Sequence, residues 1–301
     1  MTDPLKPALG PVSLVGLGMM GLPMSARLLA AGYTVRGSDL SAEARNTFAE
    51  RGGLPFDTAL QAVEGVEILI TMLPNGGIVR DALFGPGGAT EVLAPGALVI
   101  DMSSSAPMET RRLAEDLAAK GIFLIDAPVS GGVRRAVDGS LTIMAGGDPG
   151  QVERARPFLQ AMGKHIIPTG PVGSGHAVKA LNNYVSAAGL AAACEAAIIA
   201  EKFGVDPNVL VDVLNVSTGR NNSTEVKMKP FILSGSFASG FSMALMAKDL
   251  RTAADLAGQL DIEAEGAHEA AALWAKASTA LGKTADHTEI YRFLAGTGTT
   301  D

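Results

Sequence analysis

Lys179 and Asn183 stand four residues apart in the run Gly170-Pro-Val-Gly173-Ser-Gly175-His-Ala-Val-Lys179-Ala-Leu-Asn182-Asn183. On a helix that spacing puts both on one face, with Asn182 beside them. A lysine ammonium there can hydrogen-bond an alcohol or carbonyl oxygen and stabilise the negative charge that develops as hydride moves. Asn183 can hold the same oxygen or the lysine itself. An isolated lysine is by default a solvated side chain. This one follows a glycine turn between two stretches of different character, where a cleft would form, and that favours chemistry. A second run, Ser130-Gly131-Gly132, follows a strand end and can present a hydroxyl and successive backbone N–H groups to a carboxylate. Glycine lets the ligand approach closely. The same run serves equally well as a plain loop between strands.

A third group lies in Val12 to Asp39, where Gly16, Gly18 and Gly21 fit G-x-G-x-x-G. They sit between the apolar run Val12–Val15 and Met20–Ala31, whose apolar residues recur at helical spacing. In that context Gly16 permits a tight turn, Gly18 lets the backbone approach a pyrophosphate, and Gly21 lets the helix pack on the strand. Leu17, Met19 and Met20 complete the turn, and the helix start offers N–H groups and a partial positive charge to the anion. Asp39 follows at the spacing of an acid that accepts ribose hydroxyls. These features point to NAD. NADP is disfavoured because Asp39 would repel a 2′-phosphate and Leu40 follows it; Arg36 lies earlier and Arg45 is the nearest later arginine. Leu73-Pro74-Asn75 and Ser103-Ser104-Ser105 follow two further strands, and ligands of open α/β sheets bind at such ends. Taken singly they read as an X-Pro turn and a helix cap. The four histidines show no metal-ligand spacing, so no metal is expected. His176 neighbours Lys179 without an assigned catalytic role. Lys248-Asp249 reads by default as an exposed ion pair.

The elements that must position these groups are readable from periodicity. Short apolar runs at Val12–Val15, Thr34–Ser38, Glu67–Met72, Leu98–Met102, Phe123–Asp126, Leu141–Ala145 and His165–Pro168 alternate with helical segments at Ala42–Arg51, Ile78–Leu83, Pro107–Ala119 and Gly150–Met162. The alternation predicts an α/β fold with a doubly wound sheet. With only a turn expected between Asp126 and Leu141, the last strands are partly antiparallel candidates. After Gly170-Pro171 the character changes. Ser174 to Phe203 is one Ala-rich helical stretch, Asp206-Pro207 is an N-cap followed by proline at the first helical position, and further helices are expected at Met243–Leu260, Ala264–Leu281 and Asp286–Leu294. Asp286…Glu289 resembles a capping box. The expected domains are therefore residues 1–170, binding the dinucleotide, and 171–301, all-helical. The tail from Gly296 reads as frayed.

Composition limits the partners. The chain has 301 residues, 47% of them apolar, and a net charge of −7 without a basic run, so nucleic acid and anionic membrane surfaces are unexpected. Cys194 is the only cysteine, which fits a reducing compartment, and the start lacks an apolar signal core. Val185–Ala200 is interrupted by Glu195 and reads as too short and too weakly apolar to span a bilayer. A cytoplasmic protein is expected. The Ala/Leu/Ile surface of the helical part favours a homo-oligomer.

GLGMMGLPMSARL, DAPVSGGVRRAVDGSLTIM, GPVGSGHAVKALNN and MAKDL, in this order from about Val12 to Leu250, resemble the successive signatures of the β-hydroxyacid dehydrogenase family, most closely its 3-hydroxyisobutyrate branch. The resemblance implies a Rossmann domain followed by a helical domain, NAD(P)-linked oxidation of a small 3-hydroxy acid at its alcohol, with that small carboxylate as the partner, and assembly as a homodimer or homotetramer. It also implies roles: Lys179 as the catalytic lysine with Asn183 as its partner, and Ser130, Gly131 and Gly132 as the carboxylate site. Leu73, Pro74, Ser104 and Lys248 match positions that touch the dinucleotide. Ser25 and Arg27 depart mildly from the family pattern, and Ser217–Thr224 is less shared, so substrate identity stays open. L-serine, glycerate/tartronate semialdehyde and threonate are the rivals to 3-hydroxyisobutyrate. A noncatalytic dinucleotide-binding module is the alternative of another class, and it need not keep both Lys179 and Asn183.

Overall fold

The computed structural model describes residues 9–282 and 284–297. The end of the tail expected to fray, residues 298–301, lies outside them. Contacts divide the chain into two compact units, Met1–Lys179 and Ala180–Asp301. The compositional change at Gly170-Pro171 precedes that division by the first turns of a helix that packs onto the sheet.

The first unit is built on nine strands: β1 Leu9–Val15, β2 Tyr33–Ser38, β3 Leu54–Phe56, β4 Ile68–Thr71, β5 Leu98–Asp101, β6 Phe123–Asp126, β7 Val129–Ser130, β8 Leu141–Gly146 and β9 Gly163–Gly170. Their order is β3-β2-β1-β4-β5-β6-β8-β7, with β9 also pairing β8. Strands β3 to β6 are parallel, β8 runs antiparallel to β6 and β7, and β9 runs parallel to β8. The partly antiparallel end expected from sequence is therefore present. Every residue of β4 and β5 is buried, which is why they read as unbroken apolar runs. Alternation sends Ile68, Ile70, Leu98 and Ile100 to one face, and Leu69 and Val99 to the other.

The helices of this unit are α1 Gly21–Ala30, α2 Ala42–Glu50, α3 Ala59–Val63, α4 Gly76–Phe84, α5 Pro107–Ala118, α6 Gly132–Asp138, α7 Pro149–Met162 and the start of α8, Ser174–Phe203. Met24, Leu28, Phe48 and Leu159 cover the first face; Val79, Leu83, Leu113 and Leu117 cover the second. One expectation is corrected: the segment between Asp126 and Leu141 is not only a turn but holds β7 and α6. Both are short, and α6 is framed by Gly131 and by a left-handed Gly139, so no period shows in the sequence.

The second unit contains the rest of α8, then α9 Pro207–Asn215, α10 Asn222–Val226, α11 Met243–Gln259, α12 Glu265–Leu281 and α13 Ile290–Leu294, with a π-helical turn at Met228–Leu233 and a 3-10 turn at His287–Glu289. Among the described residues its only β pairing is the isolated bridge Ser242–Asp286. The 30-residue α8 is long and apolar enough to cross a membrane by length and composition, contrary to the reading of its middle as too weakly apolar. Here Ala187, Leu190, Cys194 and Ala197 lie in a core with Met246, Leu250, Trp274 and Ile290.

The predicted capping box forms, with Glu289 accepting from the Asp286 N–H and the Asp286 carboxylate accepting from Thr288 N–H. That carboxylate also gathers Ser239 Oγ, Gly240 N and Thr288 Oγ1, closing the 239–242 loop onto the turn. Burial alone would raise the Asp286 carboxyl, but hydrogen bonds from His287, Thr288 and Ser239 outweigh it and hold the group below the ordinary carboxylate range. A depressed carboxyl contributes stability above its unfolded value and loses it as pH falls through the folded one. Asp286→Asn keeps a capping oxygen but loses its charge, and should therefore cost about 1–2 kcal/mol near neutrality through its weakened hydrogen bonds. The difference should close as pH falls below about 4. Thermal midpoints of both proteins across this range check it; a gap independent of pH would show that ionised Asp286 is not the source.

Candidate active site

The turn from β1 into α1 meets β4 where the strand order reverses, which is the binding crevice of a doubly wound sheet. Gly16 has φ 100°, and a Cβ there would collide with the Met72 carbonyl at the end of β4. A Cβ on Gly21 would collide with the Gly16 carbonyl. Both glycines are forced by close packing. Gly18 differs: it is exposed and nothing lies within 4 Å of the position its Cβ would take. The close approach left open there is the one a pyrophosphate requires. No side chain caps α1, whose N-terminal end, with its partial positive charge, lies at this turn, although the Leu22 N–H is taken by the Gly18 carbonyl and the Met24 N–H by the Met20 carbonyl. Leu17 is fully buried and roots the turn, Met19 is 74% exposed, and Met20 is half-buried at the helix start.

Asp39 lies beyond the end of β2 and faces the same turn. Its Oδ2 accepts the Leu17 N–H at 2.7 Å and its Oδ1 accepts the Ser41 N–H at 2.8 Å. The carboxylate is thereby oriented, while each oxygen keeps a lone pair for a ribose hydroxyl. Arg36 is engaged elsewhere, donating to the Ala62 and Gln61 carbonyls and lying over the Phe56 ring. Arg45 sits closer than its place in sequence suggests. Its Nη1 donates to the Asp39 carbonyl and its Nη2 pairs with Asp57 at 2.8 Å. Leu40 is 97% exposed. The residues present fit a dinucleotide whose adenosine ribose carries free hydroxyls.

Leu73 follows β4, its N–H bound by Ser103 Oγ at 2.9 Å, so the loops after β4 and β5 are tied together. Pro74 is exposed and Ser104 half-buried at these two strand ends. Ser130 closes β7, and Gly131 and Gly132 follow at φ 128° and 64°, conformations that favour glycine. The aliphatic stem of Arg135 packs over Gly131. Lys179 is half-buried on α8, in the second turn from its start.

Asn183, one turn further on, is buried, its Nδ2 donating to Asp249 Oδ2 at 2.6 Å and its Oδ1 accepting from Asn182. Lys248 lies on α11, its ammonium 3.4 Å from Asp249 Oδ1. The Lys248–Asp249 pair is thus not the exposed pair expected by default, since Asp249 is only 3% exposed and aims the Asn183 amide. Sequence reasoning read Asp249 only as half of an exposed pair, because one acid on an amphipathic helix carries no signal of what it aims. It also passed over Asp101 and Asp126, which end β5 and β6 fully buried; the only clue is an acid closing each of two apolar strands. Among the described residues no group of three His, Cys, Asp or Glu side chains is placed to hold a metal.

Residues 11–170 match the family model described as the NAD binding domain of 6-phosphogluconate dehydrogenase. Residues 173–294 match the model described as NAD-binding of NADP-dependent 3-hydroxyisobutyrate dehydrogenase. The chain is 40% identical over 251 residues to 3-sulfolactaldehyde reductase of Escherichia coli K12, covering 83% of this chain and 84% of that one. It is 40% identical over 245 residues to 3-hydroxyisobutyrate dehydrogenase of Pseudomonas aeruginosa, covering 79% and 82%. The structure of Mycobacterium tuberculosis 3-hydroxyisobutyrate dehydrogenase with L-serine superposes with a TM-score of 0.88 at 35% identity, covering 94% of this chain and 98% of that one.

The glycines separate packing from binding in a testable way. Gly18→Ala should fold with the parent's thermal midpoint and lose NAD affinity, because its methyl enters only the open space. Gly21→Ala should lose stability by about 1–3 kcal/mol, since its methyl overpacks the turn. Calorimetry and NAD titration check both. Unchanged NAD affinity in folded Gly18→Ala would place the dinucleotide elsewhere.

Proposed function

Because the chain belongs to the β-hydroxyacid dehydrogenase family, across both of its matched regions, we propose that it oxidises 3-hydroxyisobutyrate to its semialdehyde with NAD as the preferred acceptor. The general activity, NAD(P)-dependent oxidoreduction of a small 3-hydroxy acid, is common to its relatives. The observation that carries the choice of acceptor is the Asp39 carboxylate, oriented by two N–H groups with both nearby arginines engaged. The second reading of the substrate is L-serine, favoured by its presence in the Mycobacterium tuberculosis structure.

In this reading Ser130 Oγ and the backbone N–H groups at Gly131 and Gly132 hold the substrate carboxylate. Lys179 holds the alcohol oxygen. Bound NAD supplies the hydride acceptor. As hydride leaves the carbon, the alcohol proton passes to the Lys179 amine, and the resulting ammonium stays hydrogen-bonded to the carbonyl oxygen formed. In the reverse direction the ammonium returns the proton. Asn183, its amide aimed by Asp249, orients the lysine or the oxygen without supplying charge. Leu73, Pro74, Ser104 and Lys248 are proposed to touch the dinucleotide along with residues 16–21.

The protein is further proposed to be a cytoplasmic homodimer or homotetramer, with residues 1–170 and 171–301 as its dinucleotide and helical domains. Exposed Val185, Ile199 and Phe203 on α8, Val209 and Val213 on α9 and Val216 just after it supply apolar surface for a self-complementary contact. Light scattering at micromolar concentration should give two or four chains; a monomer would contradict it.

Lys179→Ala should lower turnover about a hundred- to a thousandfold. NAD affinity should stay near that of the parent, because residues 16–21 and Asp39 hold the dinucleotide. Lys179→Arg should not rescue, since a guanidinium cannot exchange a proton near neutrality. Turnover of folded Lys179→Ala within a fewfold of the parent would assign the chemistry to another residue. NAD should exceed NADP in kcat/KM by a factor on the order of a hundred, from charge repulsion and a lost hydrogen bond. Equal or better efficiency with NADP would overturn the role of Asp39.

A further inference from the structure

Asp101, Asp126 and His176 are buried together at the ends of β5 and β6 and the start of α8, each no more than 1% exposed. Burying two carboxylates and an imidazole is unfavourable unless every group is partnered. Here each is. Gly173, just before α8, has no side chain with which to cap the helix, and Asp126 supplies the cap from the sheet. Its Oδ1 accepts the Gly173 N–H at 2.6 Å and its Oδ2 accepts the His176 N–H at 2.8 Å. Burial pushes the Asp126 carboxyl up, and the His176 ring and these two N–H groups pull it back. A Cβ on Gly175 would run into the Met144 carbonyl, so the helix start lies directly against β8.

The His176 ring completes the anchor. Its Nδ1 is 2.9 Å from Thr110 Oγ1 and 3.7 Å from Asp126 Oδ2; its Nε2 is 3.2 Å from the Ser103 carbonyl and 3.8 Å from Asp101 Oδ2. Asp101 is itself fixed by Thr71 Oγ1, the Ser103 N–H and Ser105 Oγ. One side chain thus joins the ends of β5 and β6 and the first turn of α5 to the first turn of α8, and Asp101 extends the link to Thr71 at the end of β4. Lys179 follows three residues later on the same helix, about 4.5 Å along the axis.

We propose that His176 is a positioning residue for Lys179: the ring, locked by Thr110, Ser103 and Asp126, sets the rotation and depth of the first turns of α8 and with them the place of the ammonium. The proposal rests on the reading of Lys179 as the proton-transferring group. His176 touches no reacting atom. Its effect is geometric, and a displacement of about 1 Å at such a group costs on the order of a hundredfold in rate.

The test is a set of double-variant cycles. His176→Ala and the milder Thr110→Val are each made in the parent and in the Lys179→Ala protein. Turnover, KM for the hydroxy acid, NAD dissociation constant and thermal midpoint are measured for each. His176→Ala should lower turnover about 10- to 100-fold with KM and NAD affinity within about threefold of the parent. Thr110→Val should lower it less, and His176→Gln, which can still bridge two partners, should recover part of the loss. In the Lys179→Ala background neither substitution should slow turnover further, because groups acting as a unit are not additive. Losses that multiply in the double variants, or parent-like turnover in folded His176→Ala, would overturn the proposal. If His176→Ala does not fold, parent-like turnover of Thr110→Val overturns it alone. Parent-like turnover of Lys179→Ala would instead overturn the reading of Lys179, a result distinct from additivity.

Discussion

The carboxylate of Asp126 holds two backbone N–H groups at the start of the helix that carries Lys179, and it does so from the buried end of a sheet strand. Much of the candidate site depends on this contact. A helix start without its own capping side chain leaves N–H groups unsatisfied, and a carboxylate in a sheet core is unfavourable without donors. Each deficiency is the other's remedy. The geometry that follows is narrow: Gly146, Gly173 and Gly175 all stand where a Cβ would strike a neighbour. The glycine richness of this segment, which reads in the sequence as a turn between two stretches of different character, is in the fold a close contact between helix and sheet.

The same logic governs the dinucleotide turn. Gly16 and Gly21 are small because backbone carbonyls fill the space a side chain would take, whereas Gly18 is small beside open space. A packing requirement and a binding requirement can therefore be separated within one motif. Asp39 links the two by holding the Leu17 N–H while keeping acceptor capacity toward the ribose.

How far the fold could be read in advance follows from element length and burial. Strands β1, β4, β5, β6 and β8 are covered on both faces and announce themselves as apolar runs; α8 and α11 are long enough for their period to show. Strand β3 has three residues with a proline in the middle, β7 has two, and α3 has five. None spans enough positions to reveal a period. Local chemistry was readable where it is local, as at Asp206-Pro207 and the Asp286–Glu289 box. The glycine turn with Asp39 belongs to the same class. The acids that aim or anchor other groups act over long separations, Asp101 with Thr71 across 30 positions, Asp126 with Gly173 across 47 and Asp249 with Asn183 across 66. Their role exists only once the strands and helices are assembled. Arg45 is similar: in sequence it lies well past Asp39, and in the fold its guanidinium rests on the Asp39 carbonyl.

The proposed reaction depends on two separate holds on the substrate, its carboxylate on Ser130–Gly132 and its alcohol on Lys179. NADH formation from 3-hydroxyisobutyrate, compared with isobutanol under the same conditions, tests that dependence directly. Isobutanol keeps the alcohol on the same branched skeleton and lacks only the carboxylate. NADH should form steadily from the hydroxy acid, with a kcat/KM for isobutanol lower by about a hundredfold or more, since binding energy from the remote carboxylate is used at the reacting centre. Equal efficiency with the two alcohols, or no NADH from any small 3-hydroxy acid, would contradict it.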